Sequence, residues 1–335
     1  MRLAKTRLFS AGEMIFTMLF RQYFGGWSAH LWRNRIDVES CVGINALGSD
    51  WNKLARTLKR NAGGVIAGDF SNYDASLCAD VLWATLDIVE AFYENSTAEE
   101  RNIRMLLWSD VVNSWHVNGN TIYLWNQSNP SGCPVTSVLN SVVHSVVARM
   151  AFLLGAEKCG VDVTLLDFER HIVHVSYGDD DVWSVGREVN WCTQEVLTEA
   201  FAELGMTYTD EQKLGVRTFR TLEEVKFLKR GFRYEQEIGR WVGPLDIRVV
   251  MEMPNWIHRS ADPYTQTAIN LETANRELAL HPLQVYKECR PLLEAGKSAL
   301  EGRVPCILPR REEILRDIIN AEKAKTQRKL LNVGA

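Results

Sequence analysis

The sequence lacks the cysteine patterns that would indicate a disulfide framework or a thiolate zinc site. Its 335 residues contain seven cysteines, an odd number, scattered along the chain without any Cys-x-x-Cys pair. Disulfide-rich domains pair their cysteines, and thiolate zinc sites use closely spaced ones. We therefore predict a protein of a reducing compartment.

An excess of one charge, low-complexity segments and long apolar runs are also missing. The formal net charge is -4 at pH 7; nucleic-acid binders are more often basic, so the balance counts mildly against that class and leaves local basic patches open. No internal repeat and no signal-peptide pattern is visible. The most apolar stretch, residues 141–156, is interrupted by His144 and Arg149 and is short for a bilayer, so we expect no transmembrane segment.

What is present is an ordinary globular composition in which strands and helices alternate up to about residue 245. Helices are expected over most of 1–60, with a break at Gly25-Gly26, and again from about 260 onward. Between them the pattern predicts a strand over 63–70, a helix over 75–94, a hairpin over 116–127, a glycine loop and helix over 129–155, two strands with a tight turn over 170–185, a helix over 190–205 with Asn190 as N-cap and Gly205 as its stop, and strands over 223–243. No flexible linker separates these elements, so we expect lobes of one body.

Three consecutive aspartates, Asp179 to Asp181, stand inside an apolar run, "HVSYGDDDVW", where like charges repel and unpaired burial is costly. Asp69 ends the strand predicted over 63–70. If that strand and the hairpin are neighbours in one sheet, Asp69, Asp179 and Asp180 converge, and a pair of hard divalent cations is the positive partner that such carboxylates hold. From Asp179 and Asp180 alone, a solvated acidic turn is supported equally well.

Two further polar motifs are weak when taken singly. In "DFSNYD", Asp74 can accept a hydrogen bond from a substrate hydroxyl, although a helix N-cap is the favoured interpretation of that residue alone. In "SGCPVTSVLN", Gly132 allows close approach of the backbone to a ligand, and Ser131, Thr136 and Asn140 can read a sugar or a template strand. His144 extends this polar stripe. The alternative is a helix-capping loop with a polar edge.

Basic residues near these motifs suggest contacts with phosphate. Lys5 and Arg7 can bind a triphosphate, Lys213 can protonate a leaving group, and Lys229 and Arg230 can touch a nucleic-acid backbone. Each alone is more often a solvated surface charge. The order and spacing of all these motifs together form a much stronger signal than any one of them.

Taken in order, the motifs resemble those of the RNA-dependent RNA polymerases of positive-strand picorna-like viruses. "GDFSNYDAS" looks like motif A, "SGCPVTSVLNS" like motif B, "YGDD" like motif C, "ELGMTYTDEQK" like motif D, "FLKRGF" like motif E and "KTRLFSA" like the tail of motif F. "GPLDIRVVMEMPNW" and "ANRELALH" are similar to dicistrovirus-like or marnavirus-like members of that order. The resemblance covers nearly the whole chain.

The resemblance implies an α+β, right-hand polymerase fold with an antiparallel palm sheet, partial fingers and a helical thumb. It implies partial fingers over 1–62, a palm over 63–243 with an inserted fingers segment at about 95–130, and a thumb over 244–335. The fingertip segment and the template-entry motif that usually precede motif F are missing, so we expect a partial polymerase.

The resemblance also implies roles for the site residues. Asp69, Asp179 and Asp180 would hold two Mg²⁺ or Mn²⁺ ions, and Lys213 would be the general acid for pyrophosphate. The remaining residues would contact nucleotide or RNA. Asp74, Asn140 and Ser131 would recognise the ribose 2′-OH with support from Thr136, and Arg7 with Lys5 would hold the triphosphate. Gly132 would contact the RNA, and Lys229 and Arg230 would contact the primer.

Asp181 departs from the family, which more often has an apolar or neutral residue at that position. Strand alternation directs Asp181 away from Asp180, so we expect a hydrogen-bonded supporting role or exposure rather than metal ligation.

The partners implied by the resemblance are an RNA template and primer, nucleoside triphosphates, a protein primer and other viral replication proteins, in membrane-associated replication complexes of the host cytoplasm. Two alternatives stay open. A reverse transcriptase or other palm polymerase would exclude ribonucleotides, often with a bulky residue near Asp74. A polymerase-derived RNA-binding module would be favoured by a lost metal aspartate, but none is lost, and the missing fingertip segment is its only support.

Overall fold

The computed structural model describes residues 10–61, 63–257 and 259–332, with side chains described up to residue 321. The chain divides into two compact units. The first takes the chain up to Gly43 and Arg60–Arg220, and the second takes Ile44–Lys59 and the chain from Thr221 onward. The assignment of fingers, palm and thumb to particular residue ranges stays a prediction.

The strands of the described residues are β1 (Gly64–Ser71), β2 (Ser114–Asn118), β3 (Thr121–Trp125), β4 (Ile172–Tyr177), β5 (Asp180–Val185), β6 (Thr207–Asp210), β7 (Arg233–Glu235) and β8 (Arg240–Val242). The helices are α1 (Met14–Arg33), α2 (Ser49–Leu58), α3 (Tyr73–Ser76), α4 (Ala79–Phe92), α5 (Ala98–Val112), α6 (Thr136–Lys158), α7 (Leu165–His171), α8 (Gln194–Glu203), α9 (Ile247–Glu252), α10 (Pro263–Leu278), α11 (Leu283–Ser298) and α12 (Arg311–Asn332). The class is α+β, as predicted.

The first unit is built on a four-stranded antiparallel sheet in the order β4-β5-β1-β6. Helices α4, α6 and α8 contribute to one apolar core with the inward residues of the sheet, including Ile66, Phe70 and Trp183. Burial of such side chains contributes about 1.5–3 kcal/mol each. The sheet is therefore a rigid base for the residues at its strand ends.

Helix α6 is long and apolar enough to span a membrane by length and composition, with a mean hydropathy of 1.5 over an 18-residue window. In the structure 61% of that window is buried inside the protein. Its inward side chains, such as Val143 and Phe152, belong to the core of the first unit. We read α6 as the central helix of a folded domain.

The second unit has mostly helical secondary structure with two short strands. Helix α2 packs on β8, and α10 packs on α11. The apolar cluster around Leu271 and Leu293 forms the core beneath α10 and α11. The strands predicted over 223–243 are wrong in extent, because only β7 and β8, of three residues each, form there.

Two local predictions are wrong for reasons that depend on tertiary contacts. Gly25 and Gly26 do not break the first helix; both lie inside α1. A Cβ on Gly26 would lie 3.3 Å from the Tyr93 hydroxyl, which accepts a hydrogen bond from the Trp27 N–H, so the glycine makes room for that ring. Asn190 does not cap α8; Thr193 does, by accepting a hydrogen bond from the N–H of Val196.

Candidate active site

The three predicted metal ligands lie at one end of the four-stranded sheet. Gly68 of β1 pairs with Asp181 of β5, which places Asp69, the next residue, at the same end as Asp180. Tyr177 pairs with Asp180 across β4 and β5, and the turn between these strands carries Asp179. The sequence prediction that these strands are neighbours is confirmed, while metal binding by the three carboxylates stays a prediction.

The turn between β4 and β5, residues 177–180, is called the Gly178 turn below. It is a two-residue hairpin turn in which Gly178 has φ +65° and Asp179 is not among the residues with positive φ, a combination that fits a type II′ turn. Helix α6 holds the Gly178 peptide at both polar groups: the Ser141 hydroxyl accepts from the Gly178 N–H at 2.9 Å, and Nδ1 of His144 lies 3.0 Å from the Gly178 carbonyl oxygen. The backbone immediately before Asp179 is thereby fixed.

Asp181 is 1% exposed and both of its carboxylate oxygens have hydrogen-bond partners, so of the two expectations for it, a hydrogen-bonded position and exposure, the structure bears out the first. Its Oδ2 accepts from Nε1 of Trp183 at 2.6 Å and lies 3.0 Å from Nε2 of His144, and its Oδ1 accepts from the Tyr208 hydroxyl at 2.9 Å. Burial by itself would raise the pKa of Asp181, but the hydrogen bond and charge of His144 and the other donors outweigh it and lower that pKa.

Gly68 is needed for this arrangement, because a Cβ at that position would lie 2.0 Å from the Tyr208 ring. The absence of a side chain lets Tyr208 lie across β1 and reach Asp181. Sequence reasoning did not identify Tyr208, because its role depends on the pairing of β6 with β1.

Predicted ribose-binding residues come together around Asp74, which lies in the short helix α3. Its Oδ1 accepts from Nδ2 of Asn140 at 2.5 Å, and its Oδ2 accepts from the Ser131 hydroxyl at 2.8 Å. Asn129, missed in the sequence, donates from its amide to Oδ1 of Asn140 at 2.7 Å. The N-cap interpretation of Asp74 is wrong, because the residue that precedes α3 is Asn72 and the residue that precedes α4 is Cys78.

The loop before α6 is shaped by two other predicted residues. The Thr136 hydroxyl donates to the carbonyl oxygens of Pro130 and Cys133, which fixes the turn that carries Ser131. A Cβ on Gly132 would lie 1.7 Å from the carbonyl oxygen of Ser10, so the close approach seen at Gly132 is to the protein's own backbone. Contact of Gly132 with RNA stays a prediction.

Lys213 reaches the end of the sheet that carries Asp69, with its Nζ 3.4 Å from Oδ2 of Asp69. Its backbone has φ +57°, an unusual conformation for a residue with a side chain. The Asp210 carboxylate fixes this loop by accepting from the backbone N–H groups that follow, those of Gln212, Leu214, Gly215 and Val216. Sequence reasoning missed Asp210, although an aspartate at the end of a strand before a glycine-containing loop is typical of turn chemistry.

The turn of residues 227–230, called the Lys229 turn below, lies in the second unit. Phe227 and Arg230 exchange two backbone hydrogen bonds of 2.9 Å, while Leu228 and Lys229 have φ +53° and +61°. Both central residues are thus left-handed, as in a type I′ turn, but without the usual asparagine and glycine.

Lys229 is exposed, whereas the Arg230 guanidinium is mostly buried and binds both carboxylate oxygens of Glu277 at 2.8 and 2.7 Å. Contacts of Lys229 and Arg230 with a primer stay predictions, and the contact found for Arg230 is internal. Lys5 and Arg7 lie outside the described residues.

The carboxylates at the strand ends fit hard divalent cations in donor type and exposure. Asp69, Asp179 and Asp180 are all partly exposed, offer oxygen donors, and Asp69 already attracts the ammonium group of Lys213. A second cluster of possible metal ligands lies deeper in the part of the chain that the structure describes. Donor atoms of His144, His174 and Asp181 lie within 4.8 Å of one another, but all three residues are buried behind the Gly178 turn.

A family model described as viral RNA-dependent RNA polymerase matches residues 3–295. The replicase polyprotein of acute bee paralysis virus is 42% identical over 310 residues, which cover 89% of this chain and 16% of that polyprotein. The replicase polyprotein of Drosophila C virus is 38% identical over 322 residues, covering 93% of this chain and 18% of the polyprotein.

A solved structure, the sicinivirus 3Dpol RNA-dependent RNA polymerase, matches with a TM-score of 0.77 at 18% identity and covers 95% of this chain. The match spans 63% of that polymerase, so this chain corresponds to only part of it. At this identity the likeness shows the fold.

Proposed function

We propose that this chain, which belongs to the family of viral RNA-dependent RNA polymerases, extends an RNA primer on an RNA template by nucleotidyl transfer from nucleoside triphosphates. The observation that carries the proposal is the placement of Asp69 and the Gly178 turn at one end of the same antiparallel sheet. The hydrogen-bonded group around Asp74 and Asn140 gives independent support.

Asp69, Asp179 and Asp180 would hold two Mg²⁺ or Mn²⁺ ions. Such ions, when bound, stabilise charge on the attacking and leaving oxygens of an in-line displacement at phosphorus. The protein positions the carboxylates: β1 carries Asp69, and the bonds from α6 fix the backbone that precedes Asp179.

Selection of ribonucleotides is assigned to Asp74 and Asn140, with Ser131. Asp74 is already oriented by the Asn140 amide and the Ser131 hydroxyl, and a carboxylate can accept a hydrogen bond from a 2′-hydroxyl that a deoxyribonucleotide lacks. A site built to bond a hydroxyl discriminates strongly against an analogue without it.

Protonation of the leaving pyrophosphate is assigned to Lys213. Its ammonium group lies 3.4 Å from Asp69 and is more than half exposed, so it is close to the reacting end of the sheet and accessible to substrate. The Asp210 contacts keep its loop in place.

The partners proposed for the protein are template and primer RNA, nucleoside triphosphates, a protein primer and other replication proteins of the virus. Lys229 and Arg230 are proposed to lie near the primer, and Lys5 with Arg7 near the triphosphate. Residence in membrane-associated replication complexes of the host cytoplasm is part of the same proposal, and the similarity to viral replicase polyproteins supports it.

Replacement of Asp179 by asparagine tests the metal assignment. In a full-length polymerase that carries this chain, D179N should reduce primer extension by roughly 10³-fold or more, because a carboxylate that binds the ions is lost at nearly constant shape. The matched control is D87N, which changes an exposed aspartate on α4. Extension by D179N at the rate of the D87N control would contradict the assignment.

A further inference from the structure

The buried amide of Asn129 has hydrogen bonds that packing alone does not explain. Asn129 is 1% exposed and lies two residues before Ser131, in the loop that leads to α6. Its Nδ2 donates to Oδ1 of Asn140 at 2.7 Å. Its own Oδ1 is buried and has no hydrogen-bond partner among the residues that the structure describes. Because a buried acceptor without a partner is destabilising, stability does not account for an asparagine here.

The backbone of this loop is held independently of the Asn129 side chain. The N–H of Ser128 donates to the carbonyl oxygen of Leu77 at 3.0 Å, and the N–H of Asn129 donates to that of Asp74 at 2.9 Å. Ser128 has φ +84°, an uncommon conformation for a residue with a side chain, which persists where surrounding contacts fix the backbone. A change of the Asn129 side chain therefore leaves both backbone bonds available.

Asn129, Asn140 and Asp74 form a row of hydrogen bonds, called the amide chain below, whose direction is fixed by chemistry. The Asp74 carboxylate accepts from Asn140 at 2.5 Å, so the Asn140 atom that faces it is the donor, Nδ2. The Asn140 atom that faces Asn129 is then the acceptor, Oδ1, and Asn129 must present its own Nδ2. If the Asn140 amide were turned by half a rotation, two oxygens would face each other at Asp74.

The orientation of the Asn140 amide depends on its hydrogen-bond neighbours. The terminal torsion of asparagine is broad and roughly twofold, so it does not choose between the two rotations by itself. The Tyr73 hydroxyl donates to the backbone carbonyl of Asn140 at 3.2 Å, which fixes the helix and leaves the amide to its contacts with Asp74 and Asn129. Loss of the Asn129 donor would free the Asn140 amide to turn, and Asp74 would then lack its donor for part of the time.

We infer that Asn129 is a specificity-determining residue of the ribose site, which acts by orienting the Asn140 amide and, through it, the Asp74 carboxylate. For its effect on substrate choice, the inference rests on the proposed recognition of the ribose 2′-hydroxyl by Asp74. The other Asp74 oxygen accepts from the exposed Ser131 hydroxyl at 2.8 Å, so the buried amide chain supplies the more rigid of its two supports. Asn129 is a positioning residue, since its side chain is buried and acts through Asn140.

A purely structural role of Asn129 is the competing explanation. It predicts that loss of the side chain slows the incorporation of every nucleotide alike. The amide chain instead predicts a loss confined to substrates with a 2′-hydroxyl, because the oriented carboxylate has no such bond to make with a deoxyribonucleotide. The ratio of the two substrates therefore separates the explanations.

Single-nucleotide incorporation by a full-length polymerase that carries this chain tests the effect on substrate choice. N129L removes the amide donor at nearly constant side-chain volume. The ratio of kcat/KM for a ribonucleoside triphosphate to that for its 2′-deoxy analogue should fall about five- to tenfold, the effect of losing one hydrogen bond. An unchanged ratio, or an equal fall of kcat/KM for both substrates, would overturn the inference.

N52L is the matched control. It replaces a buried asparagine of the second unit, 6% exposed, whose Oδ1 accepts from the N–H of Trp241 at 3.1 Å. It should lower stability, because it leaves that N–H without its acceptor, but it should not change the substrate ratio. A ratio in N129L no lower than that in N52L would exclude the amide chain as the cause.

A double-mutant cycle with D74A tests the route of the effect. When N129L is added to D74A, the further fall of the substrate ratio should be less than about 1.5-fold, because the carboxylate through which Asn129 acts is gone. A further fall as large as that in the unmodified protein would show that Asn129 acts by another route.

The orientation of Asn140 can be measured without any activity assay. In the full-length polymerase labelled with ¹⁵N-asparagine, the side-chain amide protons of Asn140 are identified by their loss in N140S. They should exchange with water at least about fivefold faster in N129L than in the unmodified protein. Equal exchange rates would overturn the orienting role.

The two measurements separate failure of this inference from failure of the proposed function. If D74A leaves the substrate ratio unchanged, or the unmodified polymerase makes no RNA, the proposed ribose site fails, and the effect on substrate choice fails with it. The exchange rates still decide whether Asn129 orients Asn140. If N129L does not fold, N129A, which adds no bulk, replaces it in both measurements.

Discussion

The Gly178 turn and the Lys229 turn are both two-residue hairpin turns, but they solve the same backbone problem in opposite ways. The Gly178 turn uses glycine at its left-handed position and is fixed by side chains of α6. The Lys229 turn places two residues with side chains, Leu228 and Lys229, in left-handed conformations. Left-handed backbone costs such residues about 1–2 kcal/mol each.

The difference shows two ways of holding a turn. In the Gly178 turn, glycine adopts the left-handed conformation without backbone strain, and hydrogen bonds to α6 hold the turn in place. Strain persists at Leu228 and Lys229 because the surrounding contacts, above all the ion pair of Arg230 with Glu277, fix the ends of the turn. The Lys213 loop is intermediate: a left-handed lysine held by the Asp210 carboxylate.

The largest expected effect comes from removing the support of the Lys229 turn. R230A leaves the Glu277 carboxylate, 3% exposed, without its cation and should lower the free energy of unfolding by about 3–5 kcal/mol. Urea denaturation measures this change. K229A, at the exposed neighbouring residue, is the control and should change stability by less than about 0.5 kcal/mol. Equal effects of the two variants would show that the ion pair does not support the turn.

Removing the carboxylate that holds the Lys213 loop should have the next largest effect. D210A loses the acceptor of four backbone N–H groups, which should cost about 2 kcal/mol. Burial opposes ionisation of Asp210, but the backbone hydrogen bonds outweigh it and lower its pKa below 3.8. Because the pKa of Asp210 is lower in the folded protein than in the unfolded chain, its ionised carboxylate stabilises the fold at pH values above the pKa of the unfolded state. This contribution is lost as the pH falls through the pKa of the folded state.

The stability difference between the unmodified protein and D210A should therefore be constant near neutral pH and shrink as pH falls below about 4. D210N, which keeps one oxygen acceptor but cannot ionise, should show a smaller difference from D210A that does not depend on pH. A difference between unmodified protein and D210A that grows on acidification would exclude this role of the carboxylate.

Replacing Gly178 by alanine would place a residue with a side chain in a left-handed conformation, the kind of backbone strain that Leu228 and Lys229 carry in the Lys229 turn. A Cβ there meets nothing within 4 Å, so G178A should cost only the backbone term, about 1 kcal/mol. Gly160, after the end of α6, has φ +66° and equally open space, which makes G160A a matched control. Both variants should lose similar stability in thermal denaturation, while only G178A should slow nucleotide incorporation. Slowing of both would remove the link between the turn and activity.

The smallest expected effect has the opposite sign. K229G relieves left-handed strain in the Lys229 turn and should raise the free energy of unfolding by about 0.5–1 kcal/mol, after the entropy cost of glycine in the unfolded chain. K226G, at a nearby residue without positive φ, should instead be destabilising by about 0.5–1 kcal/mol. Destabilisation by K229G as large as that by K226G would show that the turn is not strained.

The sequence predicted those features that depend on local pattern. The strand that carries Asp69, the hairpin around Gly178 and the polar face of α6 follow from periodicity, glycine and residue spacing, and the structure confirms them, although the strand continues past Asp69 to Ser71. Features decided by distant contacts were missed or wrong. Gly26 accommodates Tyr93, Asp210 organises a loop, and nothing in the run of three aspartates shows that Asp181 pairs with a residue 37 positions earlier.

The buried pair of His144 and Asp181 has a consequence for how the sequence can evolve. Loss of either partner alone leaves the other without its hydrogen-bond partner in the core, whereas a double change to apolar residues removes both members of the pair, and the Tyr208 hydroxyl, the Trp183 indole N–H and the Gly178 carbonyl must then find other partners. The two positions should therefore change together. Relatives that carry an apolar residue after the two turn aspartates should lack a histidine at the position of His144, and reconstructed ancestors should rarely hold one partner without the other.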